Sequence, residues 1–202
     1  MEKVILEAVL ETVMKRLFIP LEASGRHVHI TKEQSMTLFG HGLTPKRPLS
    51  QPGQYLCNER ITLIGPKGQM ENVAVLGPER KEGQVEISLT DGRALGYVPP
   101  IRLSGNVAGS PGAVLEGPKG QVTLAEGVIC AQRHIHITPE DAKRFGVTDK
   151  QVVKLQTYTQ RPLIFDDVVV RVSKDFETFV HLDYDEANAC GFVNGDLGRI
   201  LP

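Results

Sequence analysis

The sequence carries the same short pattern twice, and this repeat constrains the fold more than any other feature. RHVHIT begins at residue 26 and RHIHIT begins at residue 133, and the two copies use four of the six histidines in the 202-residue chain. Each threonine stands where it can cap a helix, and Gly40 and Gly146 follow where the two helices would end. A repeated unit of strand, cap and short helix predicts two related β subdomains.

The residues after each threonine strengthen the helix prediction. Thr31 has Gln34 at the spacing of a capping box, and Thr138 is followed by Pro139, the favoured residue for a first helical position. We therefore expect a short helix after each histidine pair.

Elsewhere the chain consists of short apolar runs separated by turn residues. Thirteen prolines and 20 glycines fall between segments such as RITLIG, QVEISLT and DVVVRV, a texture typical of β-barrels and sandwiches. GPKG occurs at residues 65–68 and 117–120 and is expected to form turns, because neither copy has the pattern of a phosphate-binding loop. The predicted fold class is mainly β, with two related β-barrel subdomains and short helices. We place them at residues 20–108 and 109–202, an approximate boundary across which strands can be exchanged.

Charge and cysteine content exclude several classes of function. The formal net charge is −1, so no broad basic surface is expected for nucleic acid or an anionic membrane. We find no transmembrane run and no secretory signal. The three cysteines are far apart and odd in number, which favours a reducing compartment over a disulfide framework.

The first 18 residues predict an amphipathic helix that ends before Pro20. Apolar residues such as Val9, Val13 and Leu17 recur at helical spacing, with charged residues on the other side. From the pattern alone, this helix either packs on its own domain or serves as a recognition helix for a partner.

The histidine pairs predict metal binding. Alternate residues of a strand share a face, so His27 and His29 point the same way, as do His134 and His136. Two imidazoles suit zinc, and a catalytic zinc usually has a third protein ligand. Glu86 and His181 are candidates for that role, whereas His41 lies in a glycine-flanked loop and is expected at the surface. Spacing alone leaves open one zinc, two zincs or another metal.

Three arginines have different expected roles. Arg80 precedes the candidate ligand Glu86 by six residues, and its guanidinium would hold a phosphate beside a metal. A solvated turn is the simpler interpretation of the same residue. Arg26 and Arg133 precede the histidine pairs, point to the opposite strand face and are expected to bind a carboxylate or carbonyl structurally.

Many separate motifs, in order, give the chain a wider resemblance. RHVHI, LSQPGQY, GPKGQMENVAVLGP, QVEISLTD, GVICAQRHIHITPEDA, LIFDDVVVRVS and HLDYDEANA together resemble the PduL-like phosphate propanoyltransferases, which are phosphotransacylases of bacterial microcompartments. The likeness covers about residues 20–192.

The resemblance implies a fold, an activity and a set of site residues. It implies two β-barrel subdomains with the active site between them, where an acyl group, propanoyl or acetyl, passes reversibly between coenzyme A and phosphate. It implies two zinc ions, with Arg80 as the catalytic residue. One zinc would bind His27, His29 and Glu86, and the other His134, His136 and His181. Coenzyme A contacts would fall on Ser24, Leu76, His181 and Asn188.

Four positions depart from the family pattern. Gly25 replaces an asparagine, Leu89 and Ala74 replace arginines, and Tyr184 replaces a threonine. The arginine expected at position 74 helps to hold coenzyme A in relatives, so the contacts to the nucleotide end are the part of the site that changes.

The resemblance also extends to location and assembly. Residues 1–18 resemble the helix that directs such enzymes into the lumen of a microcompartment, where it would dock on a shell or cargo protein. We therefore expect a bacterial cytoplasmic protein inside a microcompartment, and a homo-oligomer.

Two other functions fit part of the pattern. A zinc-dependent hydrolase of small esters or phosphates would use the same histidines and Arg80, but it would not account for the order of the wider motifs. A non-enzymatic module with a structural zinc would need four protein ligands, often cysteines, whereas each group here offers three ligands and no cysteine.

Overall fold

The computed structural model of the protein describes residue 10 and residues 12–201. Strands predominate and the helices are short, which confirms the predicted mainly β fold class. Within the described chain, no helix combines the length and the apolar character needed to cross a membrane.

The strands are numbered in chain order. They are β1 (Ile19–Ser24), β2 (His27–His29), β3 (Pro45–Pro48), β4 (Tyr55–Ile64), β5 (Gln69–Gly77), β6 (Gln84–Glu86), β7 (Ile101–Arg102), β8 (Ala113–Glu116), β9 (Gln121–Leu124), β10 (Val128–Ala131), β11 (His134–Ile137), β12 (Val152–Tyr158), β13 (Ile164–Val172), β14 (Phe179–Asp183) and β15 (Leu197–Leu201). The helices that follow β1 are α1 (Lys32–Phe39), α2 (Leu89–Leu95), α3 (Pro139–Phe145) and α4 (Tyr184–Cys190).

The chain divides into two compact units. The first, called the barrel unit, comprises the described residues up to Ala23, Arg133–Leu182 and residues 186–201. The second, called the sheet unit, comprises Ser24–Gln132 and Asp183–Asp185.

Six strands of the barrel unit close into a barrel in the order β1-β14-β11-β13-β12-β15, and β1 pairs with β15. Strand β11 lies between β13, which runs parallel to it, and β14, which runs antiparallel. Ile135 and Ile137 of β11 are fully buried in the apolar core of this unit. Because neighbouring side chains of a strand alternate faces, His134 and His136 project from the opposite face.

The sheet unit contains nine strands in the order β7-β10-β6-β2-β5-β4-β8-β9, with β3 paired to β4. The sheet curls into a half-barrel around a core that includes the fully buried Val28, Val75 and Val85. Strands β8, β9 and β10 follow the predicted boundary near residue 108 in the sequence but lie in this sheet, while β1 lies in the barrel.

The helices that follow the histidine pairs begin and end where the sequence predicted. Thr31 caps α1 in a capping box with Gln34, and Gly40 ends the helix in the left-handed conformation at φ 78°. Thr138 caps α3 through the Asp141 amide, and α3 ends at Gly146. Each cap satisfies amide groups that the first helical turn leaves without partners.

Both GPKG segments form turns, as predicted. The Gly65 amide donates to the Gly68 carbonyl at 2.8 Å, and the Gly117 amide donates to the Gly120 carbonyl at 2.9 Å. The first turn joins the antiparallel pair β4 and β5, and the second joins β8 and β9.

The predicted helix over residues 1–18 lies partly outside the described residues, since residues 1–9 and 11 are not described. Residue 10 and residues 12–17 are helical, and the apolar side chains of Leu10, Val13 and Leu17 are exposed. Phe18 then packs its ring against that of Tyr158, with ring centroids 5.1 Å apart.

Candidate functional site

The sheet unit brings the first predicted set of metal ligands together. Strand β2 lies between β5 and β6, and its register places His27 directly opposite Glu86. The Nε2 atom of His27 is 3.6 Å from Oε2 of Glu86. One ligand atom from each of His27, His29 and Glu86 lies within 4.8 Å of the other two, and all three residues are buried. We call these residues the sheet triad.

The backbone orients both imidazoles of the sheet triad. Nδ1 of His27 is 2.8 Å from the Gly25 carbonyl, which fixes the proton there and leaves Nε2 to face Glu86. His29 hydrogen-bonds the backbone of Leu76, while its buried Nδ1 has no hydrogen-bond partner among the described residues. Burial, followed by the nearby His27 and Arg80, holds the pKa of His29 well below its ordinary value. The ring is therefore neutral at physiological pH, which is the form that binds metal.

The barrel unit assembles the second predicted set. His134 of β11 pairs in register with His181 of β14, and their rings stack at 5.1 Å. His136 lies 4.7 Å from the His181 ring and 4.6 Å from the His134 ring. Ligand atoms of these three histidines also lie within 4.8 Å of one another. We call them the barrel triad.

His136 is the least satisfied polar group of the barrel triad. Both of its ring nitrogens are buried and, within the described chain, neither has a hydrogen-bond partner. Burial, and then the neighbouring His134, His181 and Arg171, lower the pKa of His136 strongly. Burying two polar nitrogens without partners is costly, and a cation bound to one of them would remove part of that cost.

The residues of both triads fit zinc by the chemistry of their donors. Each triad offers three ligands of the nitrogen and carboxylate oxygen type that zinc takes in catalytic sites. Neutral, buried imidazole nitrogens are present in both.

Two further side chains contact the barrel triad and were not predicted from the sequence. Oε2 of Glu22 is 3.4 Å from Nδ1 of His181, a placement that orients the ring so that Nε2 can serve as ligand. Phe176 stacks on His136 with ring centroids 4.1 Å apart. Glu22 is far from His181 in the sequence, and Phe176 is far from His136. No local spacing could therefore have identified either residue.

Arg80 lies beside the sheet triad. Its backbone amide donates to the Ile30 carbonyl at 2.8 Å, which fixes the residue next to the end of β2. Its Nη1 donates to the Ser104 hydroxyl at 3.3 Å, and its charge contributes to the lowered pKa of His29. The structure thus places a cation near the triad, as the sequence predicted, although the catalytic role of Arg80 stays a prediction.

The arginines that precede the histidine pairs have the predicted structural contacts. Arg26 binds Asp91 in bidentate fashion, with distances of 3.0 and 2.7 Å, and the Asp91 side chain is only 6% exposed. Arg133 donates to the Glu186 carboxylate at 2.7 Å and to the Asp166 carbonyl at 2.6 Å. These contacts tie β2 to helix α2 and β11 to helix α4.

The four residues predicted to contact coenzyme A fall in both units. Ser24 and Leu76 belong to the sheet unit, while His181 and Asn188 belong to the barrel unit. Leu76 and Ser24 are half-buried and Asn188 is exposed. Their role as coenzyme A contacts stays a prediction, as does a location of the site between the predicted subdomains.

Two departures from the family pattern are explained by one contact. A Cβ atom built on Gly25 would lie 2.6 Å from both Cζ and Oη of Tyr184, closer than carbon atoms approach. The tyrosine ring therefore occupies the space that a side chain at position 25 would need. The structure explains why this chain combines glycine at 25 with tyrosine at 184.

The remaining predicted features lie apart from the triads. His41 is a surface residue, as predicted, with a side chain that is 56% exposed. All three cysteines are buried, and none of them forms a disulfide. Burial, and then the carboxylates of Glu59 and Glu79, raise the pKa of the Cys57 thiol to about 12, which makes it a poor nucleophile.

Comparison with known proteins identifies the family of this chain. The family model of the phosphate propanoyltransferases matches residues 20–193. A phosphate propanoyltransferase from Clostridioides difficile (strain 630) is 53% identical over 199 residues, covering 98% of this chain and 95% of that protein. One from Listeria monocytogenes (strain EGD-e) is 54% identical over 202 residues, with 99% and 92% covered. One from Thermotoga maritima (strain MSB8) is 51% identical over 196 residues, with 96% and 93% covered.

Proposed function

Because this chain belongs to the phosphate propanoyltransferase family, we propose that it transfers a propanoyl or acetyl group reversibly between coenzyme A and phosphate at a site with two zinc ions. The chain is an acyltransferase, as the names of its relatives state. The observation that carries the zinc proposal is the pair of triads, each with three ligand atoms within 4.8 Å of one another.

The two triads would hold one zinc each. His27, His29 and Glu86 would bind the first, and His134, His136 and His181 would bind the second. Bound zinc would supply a Lewis acid for the acyl carbonyl and would lower the pKa of the coenzyme A thiol. The buried nitrogens of His29 and His136 that lack hydrogen-bond partners among the described residues support this assignment.

Arg80 would bind the phosphate substrate. Its guanidinium donates to the Ser104 hydroxyl, its backbone amide is held by the Ile30 carbonyl, and its charge acts on His29 of the sheet triad. A planar guanidinium binds two phosphate oxygens at once, and its charge offsets the negative charge of the attacking oxygen. Removal of such a group costs roughly 100-fold or more in rate.

The reaction balances without a covalent intermediate on the protein. A phosphate oxygen forms a bond to the acyl carbon, the bond from that carbon to sulfur breaks, and the electron pair leaves on the sulfur as thiolate. Ser24, Leu76, His181 and Asn188 would contact coenzyme A. The cysteines are buried, which supports a mechanism in which they take no part.

The decisive experiment follows thiol release from propanoyl-CoA with and without phosphate. We expect release that depends on phosphate, and a loss of roughly 100-fold or more in the Arg80→Ala variant. Arg93→Ala is the matched control, because Arg93 is an exposed arginine of the same unit. Near-normal turnover by Arg80→Ala would contradict its assignment.

The same preparation separates transfer from hydrolysis. A zinc hydrolase would consume propanoyl phosphate in the absence of coenzyme A, whereas the proposed transferase needs the thiol. Consumption at equal rates with and without coenzyme A would refute the transferase proposal.

Location and assembly form the last part of the proposal. We propose that residues 1–18 direct the chain into a bacterial microcompartment by docking on a shell or cargo protein and that the chain forms a homo-oligomer. The exposed Leu10, Val13 and Leu17 support an available apolar face. A variant without residues 1–18 should retain turnover and lose co-purification with compartments, and unchanged co-purification would contradict the proposal.

A further inference from the structure

Gln84 is a buried amide in direct contact with the sheet triad. It lies two residues before Glu86 on β6, so both side chains project from the same face of the strand. In the register of the sheet, Gln84 is opposite His29 as Glu86 is opposite His27. The residue is only 3% exposed.

The Gln84 side chain makes three hydrogen bonds. Its Nε2 donates to Oε1 of Glu86 at 2.6 Å and to Oγ of Ser104 at 2.8 Å. Its Oε1 accepts from the Gly105 amide at 2.8 Å. Both N–H groups of the amide are thus used, and its orientation is fixed because the carboxylate can only accept and the backbone amide can only donate.

The first of these bonds constrains the Glu86 carboxylate. Gln84 binds Oε1, while Oε2 faces Nε2 of His27 at 3.6 Å. A carboxylate bound at one oxygen cannot rotate freely, so the other oxygen keeps its direction toward the histidines. A neutral amide achieves this without adding a positive charge that would compete with a metal.

The other two bonds hold a turn. The Asn106 amide donates to the Leu103 carbonyl at 3.0 Å, and Gly105 has φ 92°, a conformation that favours glycine in this position of a turn. The turn presents the Ser104 hydroxyl, which accepts from Gln84 and also from Nη1 of Arg80 at 3.3 Å. One amide therefore links the carboxylate of a predicted metal ligand to the guanidinium predicted to bind phosphate.

We infer that Gln84 is a positioning residue that fixes Arg80 relative to Glu86 through the Ser104 hydroxyl. This inference rests on the proposed function, in which Glu86 holds metal and Arg80 holds phosphate. In this role Gln84 acts through its hydrogen bonds to Glu86 and Ser104.

The test uses Gln84→Met, which keeps the length of the side chain and removes its hydrogen bonds. Zinc affinity is measured by titrating chelator-treated protein in a His134→Ala background, so that the sheet triad dominates. We expect affinity to fall by roughly 10- to 100-fold, the usual effect of losing a group that orients a ligand. The KM for phosphate in the wild-type background should rise as well.

Ser104→Ala distinguishes the effect of Gln84 on Arg80 from its effect on Glu86. It should raise the KM for phosphate and leave zinc affinity unchanged, because it removes the hydroxyl that both Arg80 and Gln84 contact but keeps the hydrogen bond from Gln84 to Glu86. The double variant should raise that KM no more than the larger single effect, since both changes interrupt one connection. Additive effects on KM would overturn the link through Ser104.

Gln121→Met is the matched control. Gln121 lies in the same sheet and donates Nε2 to Oε1 of Glu116 at 2.7 Å, but the pair is exposed. Gln121→Met should change neither the zinc affinity nor the KM for phosphate. Gln84→Met with zinc affinity and phosphate KM within twofold of the wild type would overturn the inference, whereas a wild-type chain without zinc binding would overturn the proposed function first. Should Gln84→Met fail to fold, an unchanged phosphate KM in Ser104→Ala would still overturn the inference.

Discussion

Introducing asparagine at position 25 should destabilise this chain through a collision with Tyr184. A Cβ at position 25 would lie 2.6 Å from two ring atoms of Tyr184, about 1 Å inside ordinary contact, and overpacking of this kind costs about 1–3 kcal/mol. Because Tyr184 is 46% exposed and its ring can move toward solvent, we expect the lower part of that range for Gly25→Asn. For a chain of this length, about 1–2 kcal/mol lowers Tm by roughly 2–8 °C.

The effect should vanish when the ring is removed. In a Tyr184→Thr background, Gly25→Asn should change the free energy of unfolding by less than about 0.5 kcal/mol, giving a coupling of about 1–2 kcal/mol in a double-mutant cycle. The assay is urea unfolding of the wild type, Gly25→Asn, Tyr184→Thr and the double variant, monitored by circular dichroism in zinc-free buffer. Gly53→Asn is the control, since a Cβ at Gly53 meets nothing within 4 Å and asparagine tolerates its positive φ.

The collision should also affect the sheet triad. The Gly25 carbonyl is 2.8 Å from Nδ1 of His27, so a displaced backbone would misorient that imidazole and weaken zinc binding. The double variant should recover it. Equal destabilisation by Gly25→Asn in both backgrounds, or none in either, would refute the packing argument.

Three further predictions concern single contacts. Arg26→Ala should cost about 1–3 kcal/mol in urea unfolding, because it leaves the buried Asp91 carboxylate unpaired while the partial exposure of the arginine limits the loss; a loss below 0.5 kcal/mol would contradict this. Glu22→Gln should weaken zinc binding to the barrel triad by roughly 10-fold through the loss of its contact with His181, and unchanged affinity in a calorimetric titration would show that the contact orients nothing. Burial raises the pKa of Cys57 to about 12, above its value of roughly 8.5 in the unfolded chain, so this thiol contributes stability below pH 8.5 that is lost as pH rises toward 12. The unfolding free energy of a Cys57→Ala variant should therefore decline less steeply with pH over that range, and identical slopes of unfolding free energy against pH in the two proteins would refute the shift.

Strand alternation was enough to predict which histidines share a face. His27 with His29, and His134 with His136, form adjacent ring pairs in the structure, because a period of two is a local property of a strand. The helix caps at Thr31 and Thr138 were predictable for the same reason, since a cap is defined by its nearest neighbours in the chain.

The third ligands needed information beyond local spacing. Glu86 is opposite His27 only because β6 pairs with β2, and that pairing joins segments separated by most of the first half of the chain. The sequence offered Glu86 and His181 as candidates, and the resemblance to a family assigned them. Their positions within the triads depend on sheet order, which alternation does not encode.

The residues that contact the triads and Arg80 were even harder to predict from the sequence. Ser104 reaches Arg80 through a turn, and Phe176 reaches His136 from a loop, so neither carries a periodic signal. Gln84 did carry one, since it lies two residues before Glu86 and must share its face. A search for polar residues spaced by two from each candidate ligand would have found it.

Counting bound zinc per chain tests the central claim most directly. Elemental analysis of purified wild-type protein, His27→Ala and His134→Ala, each with its fold checked by circular dichroism, should give about two, one and one zinc per chain, because each substitution removes a ligand from one triad only. Wild-type protein without zinc after metal-replete purification, or equal zinc content in all three proteins, would contradict the account.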